Sequence, residues 1–471
     1  MGIMPRDRLA RPAMCALSIG APMKRIASIL IGLLGLACLP AWSWSNHTLV
    51  TYRALEKMPE LASAAAVVAE PLEVFLKAQE KPIEALLASQ EAWARKNITS
   101  YAPRPDTLAF AANPGRPDDA RRLAFLMALR ISPNSRFALF VQPDSRTMPD
   151  PTTLMPHSAV NFLPEQANSP YRFAAVKTGD QLSALSVVAS ASNEPDYGLD
   201  INLWEDSPSD WGKVYGFGKL PFGNPALYFS TQAPFHMGFY HQDWLIFKAA
   251  PFIQRTLPLL RIHQYSTLAA LAFRTGHHYW GWRFTGLALH YIQDLTQPYH
   301  ANLAPGDSTF RMISANLLAM AGLPKQRDDL IVLLSNRHLA LEKYQNELLM
   351  ASARIKQDSP LDSALRKLEL DAAYPAWSDL YARDVVAKQS YAAGSSMAGA
   401  IVAAMPPGFV SDPAFDFGVK EAGIDLSAAM AKQDAGKRAE LDRQIAELLG
   451  HFGAHSRNTI RGILKAAAAK P

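Results

Sequence analysis

Hydrophobic residues recur at intervals of three and four positions along most of the chain, which is the spacing of one face of an α-helix. This pattern predicts helices over residues 48–69, 71–96, 117–131, 244–256, 258–274, 278–296, 308–322, 328–355, 360–403 and 436–469. No segment shows a convincing ladder of alternating apolar and polar residues, and the sequence has no clear internal repeat. The pattern therefore predicts an all-α protein built from many helices.

The segment 132–243 interrupts the helical pattern. It is rich in Pro, Gly, Ser and Asn and contains large aromatic residues such as Trp204 and Phe222. We expect long ordered loops with short helices in this segment, because long loops in compact domains are often functional. An exposed aromatic loop at 204–229 would suit contact with lipid, although core packing explains the same residues equally well.

The domain organisation follows from these patterns. Residues 42–403 are expected to form the main helical domain with its long ordered loops. Residues 404–435 look like a connector, and the predicted helix 436–469 completes a C-terminal helical extension over 404–471.

The first 41 residues have the features of a secretory signal peptide. Lys24 and Arg25 precede a nearly continuous apolar run over 26–37, and Ala41 supplies a small residue at a suitable cleavage site. The run is about a dozen residues long, whereas a membrane span needs roughly 20. We therefore expect residues 1–41 to be removed and the protein to be secreted or periplasmic.

Cleavage after Ala41 would make Trp42 the first residue of the mature chain, and cleavage after Ser43 would make it Trp44. A lipoprotein cut before Cys38 is a further alternative, but the residues before Cys38 match the usual lipoprotein signal poorly.

The charge of the chain changes once the signal segment is removed. The whole chain has 47 basic and 42 acidic residues, a formal net charge of +5. The segment contains five of the basic residues and one of the acidic residues, so 42 basic and 41 acidic residues remain, a net charge near +1. That balance does not favour binding to a polyanion. Both cysteines, Cys15 and Cys38, lie in the same segment, which excludes a disulfide scaffold and a cysteine-based zinc site.

The densest cluster of potential metal ligands lies on the predicted helix 278–296 and just after it. His290 and Asp294 are four residues apart and so share a helix face. Apolar neighbours turn this face inward, where a carboxylate is costly unless it is paired or bound to metal. Pro298 ends the helix and His300 follows. The pattern favours a buried metal site.

Three further elements add candidate ligands. His338 and Glu342 repeat the spacing of four on another predicted helix. The long loop contains Asp196 and Asp200, followed by His236 and His241, and either member of each pair could be a ligand. At the new N-terminus, the α-amino group and carbonyl of Trp42 could chelate a metal, with His47 five residues further on.

These motifs resemble those of the zinc-dependent phospholipase C and single-strand-specific nuclease superfamily, whose members are all-helical and hold a trinuclear zinc cluster. The superfamily motif of His-x-x-x-Asp, Pro and His-Ala is matched by His290, Asp294, Pro298, His300 and Ala301. The later His-x-x-x-Glu is matched by His338 and Glu342, and the earlier Asp and His are best matched by Asp196 and His236. The spacing of Trp42 and His47 equals that of the nuclease branch.

The resemblance implies about three zinc ions per chain and a role for each ligand. One zinc would bind Asp196, His236, His290 and Asp294. A second would bind Trp42, His47 and the same Asp294, which would bridge the two ions. The third would bind His300, His338 and Glu342. Asp196 would also act catalytically by orienting or deprotonating the attacking water, and Tyr197 resembles an aromatic contact to the substrate headgroup in the lipase branch.

The chain departs from the family in its spacing. The interval between His300 and His338 is longer than family members usually show, which predicts an insertion around 303–330. The interval between Asp196 and His236 is also long, so Asp200 and His241 remain alternatives.

The resemblance favours a secreted zinc phosphodiesterase, most like phospholipase C, with a phospholipid or another phosphodiester as substrate and with peripheral membrane contact. A nuclease or nucleotidase of the same superfamily is the alternative, supported by the Trp42–His47 spacing but not by the nearly neutral charge. A catalytically silent zinc-binding periplasmic protein is a third hypothesis. The sequence indicates no specific protein partner.

Overall fold

The prediction of an all-α fold is confirmed by the computed structural model, in which 64% of the chain is helical and 3% is strand. The structure describes residues 46–163, 171–223, 225 and 228–469. The predicted signal segment and Trp42 lie outside these residues.

The helices follow the hydrophobic pattern most closely where no proline interrupts it. In chain order the α-helices are α1 His47–Leu55, α2 Pro59–Ala62, α3 Leu72–Ala78, α4 Glu80–Asn97, α5 Asp118–Leu129, α6 His157–Val160, α7 Ala184–Ala191, α8 Asp210–Tyr215, α9 Ala233–His236, α10 Trp244–Ala249, α11 Pro258–Arg274, α12 His278–Asp294, α13 Pro298–Ala301, α14 Thr309–Met320, α15 Lys325–Ile355, α16 Pro360–Leu365, α17 Lys388–Ala404, α18 Pro407–Val410, α19 Phe417–Lys420, α20 Leu426–Met430 and α21 Ala435–Ala468. Shorter 3₁₀ turns lie at Asp106–Leu108, Pro151–Thr153, Glu194–Tyr197, Tyr228–Gln232, Pro251–Gln254, Leu368–Ala373 and Glu421–Gly423, and a π-helical turn lies at Ala382–Ala387.

Proline explains two of the differences from the predicted helices. The predicted helix 71–96 is divided at Gln79, and Pro82 lies in the first turn of α4, where its missing N–H is tolerated. The predicted helix 360–403 is broken into α16, a 3₁₀ turn, a π-helical turn and α17. Pro375 lies in the gap, and it disfavours helical backbone at the residue before it.

Within the described residues, five short strands, which the hydrophobic pattern did not predict, form two small sheets. The strands are β1 Val67–Val68, β2 Phe140–Val141, β3 Leu154–Met155, β4 Phe173–Ala175 and β5 Gln181–Leu182. β1 pairs antiparallel with β5, and β4 lies between β2 and β3 with both pairings antiparallel. Strands of two or three residues are too short to show alternation in the sequence.

The central helix α12 lies against α7 and α11, and almost every residue of α12 is buried. Gly286 makes the contact with α7 possible, because a Cβ at this position would lie 2.5 Å from the carbonyl oxygen of Val188 and 2.6 Å from Cβ of Ala191. The close approach places the residues that follow α7 beside the second half of α12, where His290 and Asp294 are located.

The last helix, α21, packs against the first helix and the central pair, α11 and α12. The buried Arg457 donates to the carbonyl oxygens of Ala54 and Leu365 at 2.8 Å each and also pairs with Asp371. Helix α21 of the predicted C-terminal extension thus shares core contacts with the earlier helices, while the predicted domain boundaries stay predictions. Among the described residues, no helix has the length and apolar character needed to cross a lipid bilayer.

Candidate metal centre

Eight of the nine candidate ligands lie in the described residues, and the structure brings all eight into three buried groups. The groups are His47 with His290 and Asp294, then Asp196 with His236 and His290, and finally His300 with His338 and Glu342. Within each group the potential ligand atoms all lie within 4.8 Å of one another, so each group could hold a metal ion. The ninth candidate, Trp42, lies outside the described residues.

The helices position these side chains through simple periodicity. His290 and Asp294 lie one turn apart in α12, as predicted, and His338 and Glu342 lie one turn apart in α15. His300 lies in the short helix α13 just after α12. His47 is the first residue of α1, where the side chain of Asn46 caps the helix by accepting from the backbone N–H of Leu49.

The carboxylate of Asp294 lies between the first two groups. Its Oδ1 is 3.3 Å from Nε2 of His47. Its Oδ2 is 2.8 Å from Nδ1 of His236 and 3.4 Å from Nε2 of His290. The two oxygens of one side chain therefore face two different groups, which is the geometry that a bridging ligand requires.

The second group joins the long loop to the central helix. Nε2 of His290 lies 3.0 Å from Nδ1 of His236 and 3.6 Å from Oδ1 of Asp196. Asp196 lies in the 3₁₀ turn Glu194–Tyr197, directly after α7, and His236 is the last residue of α9. Packing of α7 on α12 therefore determines the position of Asp196.

The third group has three ligand atoms at similar separations. Nε2 of His300 is 3.1 Å from Nε2 of His338 and 3.7 Å from Oε1 of Glu342. Nε2 of His338 is 2.7 Å from the same Oε1. The side-chain amide of Gln297 donates to this oxygen at 3.0 Å and holds the carboxylate in place.

Three of the histidines are oriented by hydrogen bonds from Nδ1. The Nδ1–H of His290 donates to the carbonyl oxygen of Ser192 at 2.8 Å, and that of His300 donates to the carbonyl oxygen of His236 at 2.9 Å. Nδ1 of His47 lies 2.8 Å from Oε1 of Gln293. Because a carbonyl oxygen can only accept, Nε2 of His290 and His300 is left with its lone pair directed into the group. Metal-binding histidines are commonly oriented in this way.

His236 has the opposite orientation. It directs Nδ1 toward Asp294, while its Nε2 lies 3.6 Å from Oδ2 of Asp200. Asp200 is fixed by Arg261, at 2.7 Å, and by the hydroxyl of Tyr291, at 2.6 Å. The structure therefore places Asp200 behind His236 as an orienting carboxylate, and it places Asp196 in the group itself.

The other alternative concerned His236 and His241. His236 lies in the second group, whereas Nε2 of His241 is 2.7 Å from the carbonyl oxygen of Arg383 and lines a separate pocket. Of the two histidines, the structure thus brings His236 to the candidate ligands.

The arrangement of acceptor atoms fits bound cations. Nε2 of His47 and Oε2 of Glu342 are buried and have no hydrogen-bond partner among the described residues. Nε2 of His290, an acceptor, faces carboxylate oxygens of Asp196 and Asp294. Buried acceptors that face one another are unfavourable, and buried carboxylates need a compensating positive charge. Metal ions between them would supply that charge.

The surroundings also shift the pKa values of the groups in opposite directions. Burial raises the pKa of the Asp196 carboxyl to about 7. Burial would also raise the pKa of Asp294, but the neighbouring histidines, with hydrogen bonds from His236 and His47, hold it well below its usual range. Burial lowers the pKa of His290, so this imidazole stays neutral, as a metal ligand must be.

Tyr197 is only 1% exposed and packs with Phe140, Tyr171 and Phe173. Its hydroxyl accepts from the side-chain amide of Asn193 at 2.9 Å, and Oδ1 of Asn193 in turn accepts from the backbone N–H of His47 at 3.1 Å. These contacts give Tyr197 a part in positioning His47. The expected contact between Tyr197 and a substrate headgroup stays a prediction.

Three large aromatic residues of the long loop lie in the core. Trp204, Phe217 and Phe222 are buried, and Nε1 of Trp204 donates to the carbonyl oxygen of Thr231 at 2.7 Å. The burial of these three side chains supports core packing, and not lipid contact, as their role in this segment.

Sequence reasoning did not find the residues that hold the ligands. Gln293 and Gln297 flank Asp294 and contact His47 and Glu342. Arg261 lies buried in the apolar helix α11. The signal was present in the sequence, because polar residues on the inward face of an apolar helix must have partners there.

No family model, curated protein or solved structure matches this chain. The fold and the site therefore define the class of protein by themselves. The described chain is an all-α protein in which three adjoining buried groups of histidine and carboxylate side chains could hold metal ions.

Proposed function

We propose that the protein is a secreted zinc-dependent phosphodiester hydrolase, most like phospholipase C. The observation that carries this proposal is the position of Asp294, whose Oδ1 lies near His47 and whose Oδ2 lies near His236. A carboxylate shared between adjoining metal sites is what a multinuclear hydrolase needs, because closely spaced metal ions act together on one phosphate ester.

The donor atoms favour zinc. The groups offer imidazole nitrogen and carboxylate oxygen, and the cysteines of the chain lie in the proposed signal segment. Zinc accepts this mixture of ligands in tetrahedral sites, and catalytic sites keep one position free. His300, His338 and Glu342 would supply three ligands and leave a fourth position for substrate or water. Trp42 would complete the group around His47 through its α-amino group and carbonyl.

The chain's own residues would contribute binding and proton transfer. When bound, zinc supplies Lewis-acid activation of water and of the phosphate ester. Asp196 is the candidate general base, because it lies at the edge of the second group and is 6% exposed, whereas Asp294 is fully buried. Asp200 would keep His236 oriented.

A phospholipid is the favoured substrate because the proposed mature chain is nearly neutral, with 42 basic and 41 acidic residues after removal of residues 1–41. Nucleases that bind single strands usually combine a basic groove with exposed aromatic side chains. In the segment 204–229, Trp204, Phe217 and Phe222 are buried, so these three side chains form neither such a platform nor an exposed loop for lipid contact, and the charge alone favours the phospholipid.

The direct test is hydrolysis by the purified mature protein with its metal content measured in parallel. We expect turnover of phosphatidylcholine, with release of the phosphorylated headgroup, and about three zinc ions per chain by elemental analysis. Turnover of single-stranded DNA alone would establish the nuclease alternative. Full zinc content without turnover of either substrate would favour the silent zinc-binding protein, and a metal content below about one ion per chain would contradict both enzymes.

A further inference from the structure

The helix α14, Thr309–Met320, has an apolar face that no other part of the described chain covers. All of this helix is described, and Ala315 alone is buried. Phe310 is 81% exposed and Leu317 is 60% exposed. Met320 and Leu323, at the end of the helix and just beyond it, are also exposed. The chain thus exposes a run of large apolar side chains where solvent contact is unfavourable.

The neighbouring helix α10, Trp244–Ala249, extends this surface. α10 packs against α14, and the hydroxyl of Thr309 donates to Oδ2 of Asp243 at 3.5 Å. Trp244 is 65% exposed and Leu245 is exposed as well. We call the six exposed residues of the two helices, Trp244, Leu245, Phe310, Leu317, Met320 and Leu323, the apolar surface.

Two cations and one exposed carboxylate, that of Asp243, lie beside the apolar surface. Nζ of Lys248 lies 5.7 Å from the ring centre of Trp244, and the side chain of Arg311 is largely exposed. Residues 308–324 contain no acidic residue. The carboxylate of Asp307, just before this segment, is buried and pairs with Arg311 and Arg337. Cations beside exposed Trp, Phe and Leu are typical of helices that lie in the interface of a lipid bilayer.

The apolar surface is linked directly to the third metal group. The side-chain amide of Gln242, just before α10, donates to the carbonyl oxygen of Ala301 at 3.0 Å, next to His300. On the other side, Asp307 pairs with Arg337, the residue before His338. α14 also lies in the segment 303–330, where the resemblance predicts an insertion between His300 and His338. Contact at this surface would therefore hold the third metal group close to whatever the surface binds.

We propose that the apolar surface binds the interface of a phospholipid bilayer. Phe310 and Leu317 enter the acyl region, Trp244 lies at headgroup level, and Lys248 and Arg311 contact phosphate groups. This inference deepens the proposed function and rests on it for its purpose, but membrane binding can be measured without any turnover.

The test is cosedimentation of the full mature protein with vesicles of phosphatidylcholine and with vesicles of equal parts phosphatidylcholine and phosphatidylglycerol. We expect binding that the anionic lipid strengthens. The double variant Phe310→Ser, Leu317→Ser should bind at least about tenfold more weakly, because two large apolar side chains no longer leave water. Both residues are exposed, so the unfolding temperature and zinc content should stay unchanged.

The matched control is the double variant Met148→Ser, Ile355→Ser, which also removes two exposed apolar side chains. Ile355 is the last residue of the 31-residue helix α15, and the apolar surface comes just before the first residue of this helix in the chain. The control should bind vesicles like the unaltered protein. Equal binding by all three proteins, or no binding by any, would overturn the proposal.

Two further measurements distinguish membrane binding from dimer formation and from catalysis. If light scattering shows a dimer that Phe310→Ser, Leu317→Ser converts to a monomer while vesicle binding is unchanged, the surface joins two copies of the chain and the proposal is wrong. Hydrolysis of a short-chain phosphatidylcholine in free solution tests the proposed function alone. Vesicle binding that depends on the apolar surface, without hydrolysis of any phospholipid, would support the surface and contradict the hydrolase.

Discussion

At the scale of single residues, the site depends on how a few buried side chains are oriented. Asp294 directs its two oxygens to different groups, and His290 and His300 direct Nε2 inward because Nδ1 donates to a backbone carbonyl. His236 is turned the other way, with Asp200 behind it. Each orientation is determined by a hydrogen bond or ion pair outside the group, so substitutions there should act through the ligands.

Substitution of the central carboxylate tests the bridge. In Asp294→Asn the side chain loses its charge and can no longer compensate two cations, so zinc content should fall from about three ions per chain to about one. Elemental analysis of the purified variant measures this. Glu80→Gln is the control, since Glu80 is also buried but pairs with Arg121 outside the site. Loss of a single ion from Asp294→Asn would contradict the bridging role.

Asp200→Asn tests the orienting role. The amide cannot hold His236 and Arg261 as the carboxylate does, and loss of such an outer partner typically weakens metal binding by about 10–100-fold. We expect Asp200→Asn to lose zinc at a lower concentration of a competing chelator than the unaltered protein does. Saturating zinc should restore the full zinc content of the variant. The same Glu80→Gln control shows what loss of a buried carboxylate does by itself. If zinc affinity is unchanged in Asp200→Asn, Asp200 has a purely structural role.

At the scale of elements, the contact between α7 and α12 places the long loop on the site. The absence of a side chain at Gly286 allows the backbone of α7 to approach. Asp196 and Ser192, which follow α7, then reach His290. The spacing of His290 and Asp294 could be predicted from helical periodicity. The distance between the two helices, which determines that Asp196 and not Asp200 lies among the ligands, could not be predicted. Helical periodicity does not show which glycine allows two helices to approach closely.

Gly286→Ala should therefore separate α7 from α12. The added Cβ would lie 2.5 Å from a backbone carbonyl, which cannot move without shifting the helix, and overpacking of this kind costs about 1–3 kcal/mol. Denaturant unfolding should show this loss, and zinc affinity should fall with it. Gly399→Ala, at an open position in α17, is the control and should leave both unchanged or raise stability slightly. Equal stability of both variants would contradict the packing argument.

At the scale of the whole molecule, the all-α class could be predicted from the sequence, because long amphipathic helices leave a periodic signal. The convergence of the remote ligand segments was expected only from the resemblance, since i, i+4 spacing places two ligands on one helix face but does not bring separate helices together. The small sheets could not be predicted, since strands of two or three residues show no alternation. The burial of Trp204 and Phe222 could not either, because an aromatic residue in a loop looks the same in sequence whether it faces lipid or core.

Metal removal should destabilise the molecule as a whole. The groups join α1, α12, α13 and α15, and without cations their acceptor atoms face one another in a buried space. A metal ion present at a free concentration about 1,000 times its dissociation constant would add about 4 kcal/mol to the free energy of unfolding. Thermal unfolding should shift downward after chelation and recover when zinc is restored. An unchanged unfolding temperature in fully metal-free protein would show that the groups satisfy one another without metal.

The most direct test of the central claim is anomalous X-ray diffraction at the zinc edge from crystals of the mature protein. The bridging arrangement predicts separate zinc peaks on the two sides of Asp294, one within bonding distance of Oδ1 and His47 and the other of Oδ2, His236 and His290, with a further peak at His300, His338 and Glu342. A single peak at Asp294, or peaks only outside these groups, would contradict the claim.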